Sequence, residues 1–267
     1  MDHHLKDFYR RFSEGAPRGN FHSVIALHEA KDFSWNDIKE KVPELTRGWF
    51  ELAHLSSKDR IDFSRDYWLT KMPYRQGFDE FLDRFFASLD DIGIFITQKK
   101  YDDPYEARLV YSIKNDAGFF CGAPPISEQA LGNLQKSFSN FILPNDYLIF
   151  LQIHNGFSKT TDCTGIKRAE DLPRSYTNFQ TNQSEPILTS KKTSIDPKTL
   201  IPFYESFGMP FYQCFWADWY PEQEMGNVYY SGESKTISDI YSSSSSAETM
   251  AYPTFTDWLM FYMERFI

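Results

Sequence analysis

The sequence has few cysteines, no long apolar run and no excess of positive charge. Its three cysteines, Cys121, Cys163 and Cys214, have neither metal-ligand spacing nor the even number of a disulfide framework, which fits a reducing compartment. No apolar run approaches the roughly 18 residues that a membrane helix needs, and the first residues lack the apolar segment of a signal peptide. These absences predict a soluble, cytoplasmic protein without disulfides.

The charge balance of the chain is acidic. With 28 basic and 37 acidic residues, the formal net charge is −9, which argues against nucleic-acid binding and is compatible with a basic protein partner. Hydrophobic residues make up 41% of the 267 positions, so the chain can build one large domain or two modest ones.

The segment from Leu143 to Phe157 carries the clearest helical pattern. Pro144 suits a first helical turn, because its φ is preset and its missing N–H is not needed there. Asp146 adds a negative charge near the positive end of the helix dipole, and apolar side chains then recur at the helical period. Asn155 and Gly156 tolerate the left-handed backbone that closes helices, so we expect the helix to end there.

The same segment resembles a known family signature. Its pattern is Leu-Pro, two residues, Tyr, two residues, Phe-Leu, three residues and Asn-Gly. This is similar to the signature of the SUKH superfamily, which includes fungal Smi/Knr-type regulators of cell-wall synthesis and bacterial immunity proteins that neutralise toxins. Because the residues start a helix, fill a core or stop a helix, we expect their role to be mainly structural. The matching residues are Leu143, Pro144, Tyr147, Phe150, Leu151, Asn155 and Gly156.

The chain before this segment changes from helical to strand-like patterns. Residues 1–77 begin with a short helix and a loop and continue with helical patterns. A dense apolar stripe over Phe78 to Leu89 predicts one more helix. Alternating β-branched residues from Ile92 to Ile96 predict a strand, and the segments 108–114 and 119–122 predict a hairpin.

The chain after this segment begins with a polar stretch. Residues 158–199 are poor in aliphatic side chains, which predicts mostly mobile loop with a strand near Ile187. Residues 241–246 form a serine-rich loop. The remaining predicted elements are strands from Leu200, Pro210 and Gly226, and a closing helix from Thr254.

The sequence offers no recognised catalytic or metal-binding motif. His28 and Glu29 begin a zincin-like pattern, but Asp32 stands where the second histidine is needed, so a surface helix is the favoured interpretation. Phosphate-binding glycine loops, nucleophile elbows and dinucleotide fingerprints are missing from the sequence. His154 ends a buried helix face, where an imidazole is usually satisfied or faces solvent. We expect no enzyme, no catalytic residue, no metal and no cofactor; an uncharacterised hydrolase is the alternative from another class.

One short segment concentrates aromatic and acidic side chains after a predicted strand. Interfaces favour Trp and Tyr as anchors, and carboxylates can steer a basic partner. The alternative is a core-lining strand end followed by a solvated turn. If the segment binds a partner, replacing Trp219 and Tyr220 with Ala should weaken capture and leave the melting temperature nearly unchanged. The candidate partner-binding residues are Trp216, Asp218, Trp219, Tyr220, Glu222 and Glu224.

The patterns and the resemblance together predict an α+β fold. We expect a mostly antiparallel sheet with helices packed on one side, SUKH-like, plus a helical N-terminal extension. The expected division is a helical region over 1–77 and a SUKH-like domain over 78–267, with the resemblance concentrated in 127–267. The resemblance implies a non-enzymatic protein-binding module, of the immunity type or a regulatory scaffold with several partners. Its partner would be another protein, such as a basic toxin domain, and neither nucleic acid nor a membrane.

Overall fold

The computed structural model describes residues 1, 3–14, 19–30, 32–183, 185–189, 191–206, 210–238 and 250–264. Its contacts divide the chain into two compact units. The first comprises Met1–Pro125 and the chain from Met263, and the second is Ile126–Tyr262. The serine-rich segment 241–246 lies outside the described residues. The expected division into a helical region over 1–77 and a SUKH-like domain over 78–267 stays a prediction.

The first unit contains an antiparallel sheet with the strand order β1-β2-β3-β4. Its strands are β1 (Ser23–Ala26), β2 (Leu89–Gln98), β3 (Glu106–Ile113) and β4 (Phe119–Gly122). Its helices are α1 (His3–Phe8), α2 (Trp35–Lys41), α3 (Arg47–Ala53), α4 (Ser57–Lys71) and α5 (Phe78–Ala87). The predicted helix with the apolar stripe and the predicted hairpin are therefore confirmed.

Both faces of this first sheet are covered. On one face Tyr111 of β3 receives a hydrogen bond of 2.9 Å from the indole nitrogen of Trp68 in α4 and contacts the ring of Phe85 in α5. On the other face the ring of Tyr9 stacks on Phe95 of β2 at 4.1 Å. Successive strand residues point to opposite faces, which explains why this sheet needs apolar side chains on both.

The beginning of the chain differs from the expectation of a short helix and a loop. Ser23–Ala26 is a strand that pairs with β2, with Val24 opposite Thr97. The chain then turns, and His28 lies in that turn rather than on the expected surface helix. Its Nδ1 is 3.2 Å from the backbone nitrogen of Ile94. A strand of four residues is too short to show a two-residue period in the sequence. Its stabilisation comes from pairing with β2 and not from a local pattern.

The second unit contains a mostly antiparallel sheet with the strand order β5-β6-β9-β10-β11-β12-β7-β8, in which β13 also pairs with β11. The pair of β12 and β7 is parallel. Its strands are β5 (Phe157–Lys159), β6 (Gly165–Ile166), β7 (Ile187–Leu188), β8 (Ser194–Ile195), β9 (Leu200–Glu205), β10 (Phe211–Trp216), β11 (Asn227–Ser231), β12 (Thr236–Ile237) and β13 (Ala251–Tyr252). Its helices are α6 (Glu128–Ser137), α7 (Asn145–Leu151), α8 (Leu172–Thr181) and α9 (Phe255–Glu264).

Neighbouring residues of β10 show what covers each face of the second sheet. The ring of Phe215 lies 5.0 Å from Tyr147 of α7 and 6.4 Å from Phe255 of α9. Cys214, which points the other way, belongs to a core cluster with Phe179 of α8. Helices α7 and α9 therefore pack on one face, and α8 packs on the opposite face. The expected packing of helices on one side only does not hold for this sheet, because β10 buries apolar side chains on both faces.

Helix α8 corrects the expectation that residues 158–199 are mostly loop. It begins with Pro173 in its first turn and buries Leu172 and Phe179, while its other positions are largely polar. Since so few apolar residues mark the helix, the sequence pattern did not reveal it. The strand predicted near Ile187 is confirmed as β7. The α+β class with a mostly antiparallel sheet is confirmed as well.

Candidate functional site

The signature segment forms the buried centre of the second unit. Helix α7 starts after Pro144, which takes the capping position with φ −56° and ψ 133° instead of lying in the first turn as expected. The helix ends at Leu151, four residues before the expected stop at Asn155. All seven signature residues are buried: Leu143, Pro144, Tyr147, Phe150, Leu151, Asn155 and Gly156.

Tyr147 places an aromatic ring against both the sheet and α9. Its ring centroid lies 6.0 Å from Phe203, 5.0 Å from Phe215 and 5.3 Å from Phe255. Its hydroxyl is buried and has no hydrogen-bond partner among the described residues. Burial raises the pKa of Tyr147 far above its ordinary value, so the hydroxyl stays neutral.

Asp146 joins the first turns of two helices. One carboxylate oxygen, Oδ1, accepts a hydrogen bond from the backbone nitrogen of Tyr147 at 2.9 Å. The other, Oδ2, accepts from the backbone nitrogen of Thr256 at 2.8 Å and from its hydroxyl at 2.9 Å. The sequence predicted the negative charge at the start of α7, but not its contact with the start of α9. Burial raises the pKa of the Asp146 carboxyl, although these hydrogen bonds act in the opposite direction.

Asn155 orders the chain beyond α7 through its side chain. Its amide nitrogen donates to both carboxylate oxygens of Glu170, at 3.0 and 2.9 Å. Its amide oxygen accepts from the backbone nitrogen of Ala169 at 2.8 Å. Gly156 has a φ of +99°, a conformation that favours glycine. The Asn-Gly pair therefore shapes the turn into β5 and fixes a distant segment, instead of directly ending the helix.

His154 lies within this buried centre. Its exposed fraction is 1%, and its ring stacks on Phe157 at a centroid distance of 5.4 Å. The described residues contain no group of three His, Cys, Asp or Glu side chains that could hold a metal ion.

The candidate partner-binding residues occupy the end of β10 and the segment 217–226, which we call the acidic loop. Trp216 is 7% exposed and belongs to the core cluster on the α8 face. Trp219 is half-buried and covers Gly226, where an added Cβ would come within 2.4 Å of the indole atom Cε3. The backbone of Gly226 also donates to the carbonyl of Trp219 at 2.9 Å. Both tryptophans thus pack on the side of the loop that faces the core.

This packing leads us to expect that replacing Trp219 with Ala lowers stability. An indole that fills the space above a glycine contributes packing contacts that alanine cannot replace.

The acidic loop exposes other members of the candidate set. Asp218, Tyr220 and Glu222 are exposed, with Tyr220 at 45%. Glu224 is half-buried, and its carboxylate oxygen Oε2 accepts a hydrogen bond of 3.0 Å from the backbone nitrogen of Asn145. The acidic loop therefore has a packed base, formed by Trp216 and Trp219, and an exposed tip, formed by Asp218, Tyr220 and Glu222. Glu224 attaches the loop to the start of α7.

Within the described ranges, every helix is too short or too polar to cross a lipid bilayer.

The buried aromatic helix, the antiparallel sheet behind it and the closing helix α9 define an α+β module of the SUKH type. A model of the SMI1 / KNR4 family (SUKH-1) matches residues 125–260, which is just over half of the chain. The chain belongs to this family, and the predicted resemblance is confirmed. The match coincides closely with the second compact unit, Ile126–Tyr262. Comparisons with curated proteins and with solved structures gave no significant match.

Proposed function

We propose that the chain is a non-enzymatic protein-binding module that acts as an immunity-type protein, masking a basic partner domain through surface complementarity. The observation that carries this proposal is the exposed tip of the acidic loop, formed by Asp218, Tyr220 and Glu222 on a packed base. Binding, and not bond formation, would be its mechanism.

The chemistry of the tip suits a basic protein surface. Tyrosine is enriched among residues that dominate binding energy, because it combines a large apolar ring with a polar end. Asp218 and Glu222 flank Tyr220 with negative charge in a chain whose net charge is −9, and such charge raises the association rate with a positive partner. The partner would therefore be a basic domain with a pocket for an aromatic ring.

The base of the loop limits the entropy that binding would cost. Trp219 packs over Gly226, and Glu224 accepts the hydrogen bond from Asn145. A loop held at both places loses less conformational freedom when a partner binds than a free loop would. This favours the acidic loop as a recognition surface over an ordinary solvated turn.

The test uses the full chain as bait in affinity capture from its native cell, followed by titration of the captured partner. The variants are Tyr220→Ala and the charge reversal Asp218→Lys with Glu222→Lys. The matched control is Glu233→Lys, which reverses an exposed acidic residue between β11 and β12 of the same unit. We expect each loop variant to weaken the partner's affinity about tenfold or more, and the control to leave it unchanged.

Co-expression then separates the immunity role from the regulatory one. Protection of cells from the captured protein by the wild type, lost in the loop variants, would support an immunity role. Several captured partners without any protection would favour a regulatory scaffold instead. Equal affinity of wild type and both loop variants would overturn the acidic loop as the binding surface.

A further inference from the structure

A cavity of about 620 Å³ opens in the first unit, between α1 and β1. Small-molecule sites commonly have volumes of roughly 300–1,000 Å³ and mostly apolar walls with a few polar groups. The floor of this cavity is formed by Leu5, Tyr9, Val24 and Phe95, which also belong to the core cluster of that face. The rings of Tyr9 and Phe95 stack on each other at a centroid distance of 4.1 Å, so they line the floor with little exposed surface.

Three cationic side chains line the cavity, although the whole chain is acidic. Lys6, Arg10 and Arg11 line it together with two glutamates. The two arginines are held in place: Nη2 of Arg10 donates to the carbonyl of Glu14 at 3.0 Å, and Nη2 of Arg11 donates to the carbonyl of Val24 at 3.0 Å. Nη1 of Arg10 also lies 3.5 Å from Oδ1 of Asp7, so this guanidinium is paired with a carboxylate.

The carboxylates of the two rim glutamates, Glu14 and Glu29, contact different residues. The carboxylate of Glu14 accepts a hydrogen bond from the backbone nitrogen of Arg11 and lies 3.7 Å from its Nε. The side chain of Glu29 is 72% exposed and points one oxygen to within 3.8 Å of His28 Nε2. The ammonium of Lys6 forms no ion pair with any residue that the structure describes. Lys6 is therefore the cation best placed to meet an incoming anion.

We propose that this cavity binds a small organic anion with an apolar body, such as a medium-chain carboxylate. The apolar body lies on Tyr9 and Phe95, and the carboxylate lies at the rim beside Lys6. An apolar body accounts for the apolar floor, and a negative head group accounts for the Lys6 ammonium, which forms no ion pair with any described residue. This site belongs to the first unit and is independent of the acidic loop.

The test is a calorimetric titration of the full chain with decanoate, decanol and decylamine, which share one apolar tail. We expect decanoate to saturate a single site and to bind about tenfold more tightly than decanol, because only decanoate gains the charge-assisted contact. Decylamine should bind more weakly than decanol, since its charge repels the ammonium of Lys6.

Two substitutions locate the binding. Lys6→Gln should weaken decanoate binding about fivefold to tenfold and leave decanol binding unchanged. The matched control is Lys58→Gln, an exposed lysine of α4 that does not line the cavity, and it should change neither affinity. Ala26→Phe should fill the cavity and abolish binding of both ligands; Ala30→Phe tests the same point from the turn if the first variant does not fold.

The proposal would be overturned by unsaturable decanoate uptake, by equal binding of decanoate and decylamine, or by equal effects of the Lys6 and Lys58 substitutions. None of these outcomes bears on the acidic loop, because the capture experiment uses other residues in the other unit.

Discussion

The carboxylate of Asp146 holds the start of one helix against the start of another, because its Oδ2 accepts both the backbone N–H and the hydroxyl of Thr256. These residues are 110 positions apart in the chain. Both helix starts carry partial positive charge from unpaired N–H groups, so one buried carboxylate satisfies two orphan ends. The signature helix and the closing helix are thereby fixed as a pair on one face of the second sheet.

Replacing Asp146 with Ala should be among the most damaging single changes in the second unit. The substitution leaves three buried donors without an acceptor, and each costs about 1–3 kcal/mol. We expect the free energy of unfolding in urea to fall by about 3 kcal/mol or more. Asp146→Asn keeps one acceptor oxygen, so its free energy of unfolding should fall less than that of Asp146→Ala. Asp218→Ala, an exposed aspartate of the same unit, should stay within about 0.5 kcal/mol of the wild type and serves as the control.

The raised pKa of Asp146 predicts the direction of a pH effect. Because its pKa in the folded state lies above that in the unfolded state, the folded state takes up a proton first as the pH falls. The contribution of Asp146 to stability should therefore rise as the pH falls through the folded pKa towards the unfolded value, about 4. The measurement is the difference in free energy of unfolding between wild type and Asp146→Asn, followed from pH 7 downwards. A difference that moves against the wild type in that window would contradict the pKa shift.

Substitution by Ala should lower stability at Trp219 but not at Tyr220. Trp219→Ala removes an indole from above Gly226 and should cost about 2 kcal/mol of stability, somewhat less than for a fully buried ring. Tyr220→Ala removes an exposed ring and should change stability by less than about 0.5 kcal/mol. Thermal unfolding of the two variants decides the matter. Equal melting temperatures would mean that the indole does not support the loop.

Tyr147→Phe should leave the second unit as stable as before, or slightly more stable. Its hydroxyl is buried without a partner among the described residues, so removing it relieves a desolvation penalty of up to about 1 kcal/mol. Tyr204→Phe is the matched comparison, because the Tyr204 hydroxyl donates to Asp162 Oδ1 at 2.9 Å. That change should cost about 1 kcal/mol. If Tyr147→Phe were the more damaging of the two, the hydroxyl would have to make a contact in solution.

The sequence predicted those elements whose side chains repeat with a clear period. Helix α5 and strand β2 carry dense apolar patterns, and both form where the patterns lie. Helix α8 was missed because Leu172 and Phe179 are its buried residues, too few to distinguish it from a polar loop. Strand β1 was missed because its pairing with β2 joins residues about seventy positions apart, which no local pattern reports.

The sequence predicted which residues belong to the candidate site, but not which of them are buried and which are exposed. Trp216 and Trp219 could not be separated from Tyr220 by residue type, since all three favour interfaces equally well. Trp219 differs from Tyr220 because its ring packs against Gly226, which lies across the loop. The contact of Asp146 with Thr256 also left no signal, because an aspartate in a first helical turn is ordinary for any helix.

The pairing of Trp219 with Gly226 has a consequence for how relatives of this chain could diverge. Residue 226 has no room for even a methyl group beneath the indole, so these two positions must change together or stay fixed. The exposed positions 218 and 220 carry no such packing constraint and could change between lineages. A fixed base beneath an interchangeable tip would let one scaffold acquire new recognition targets without being rebuilt.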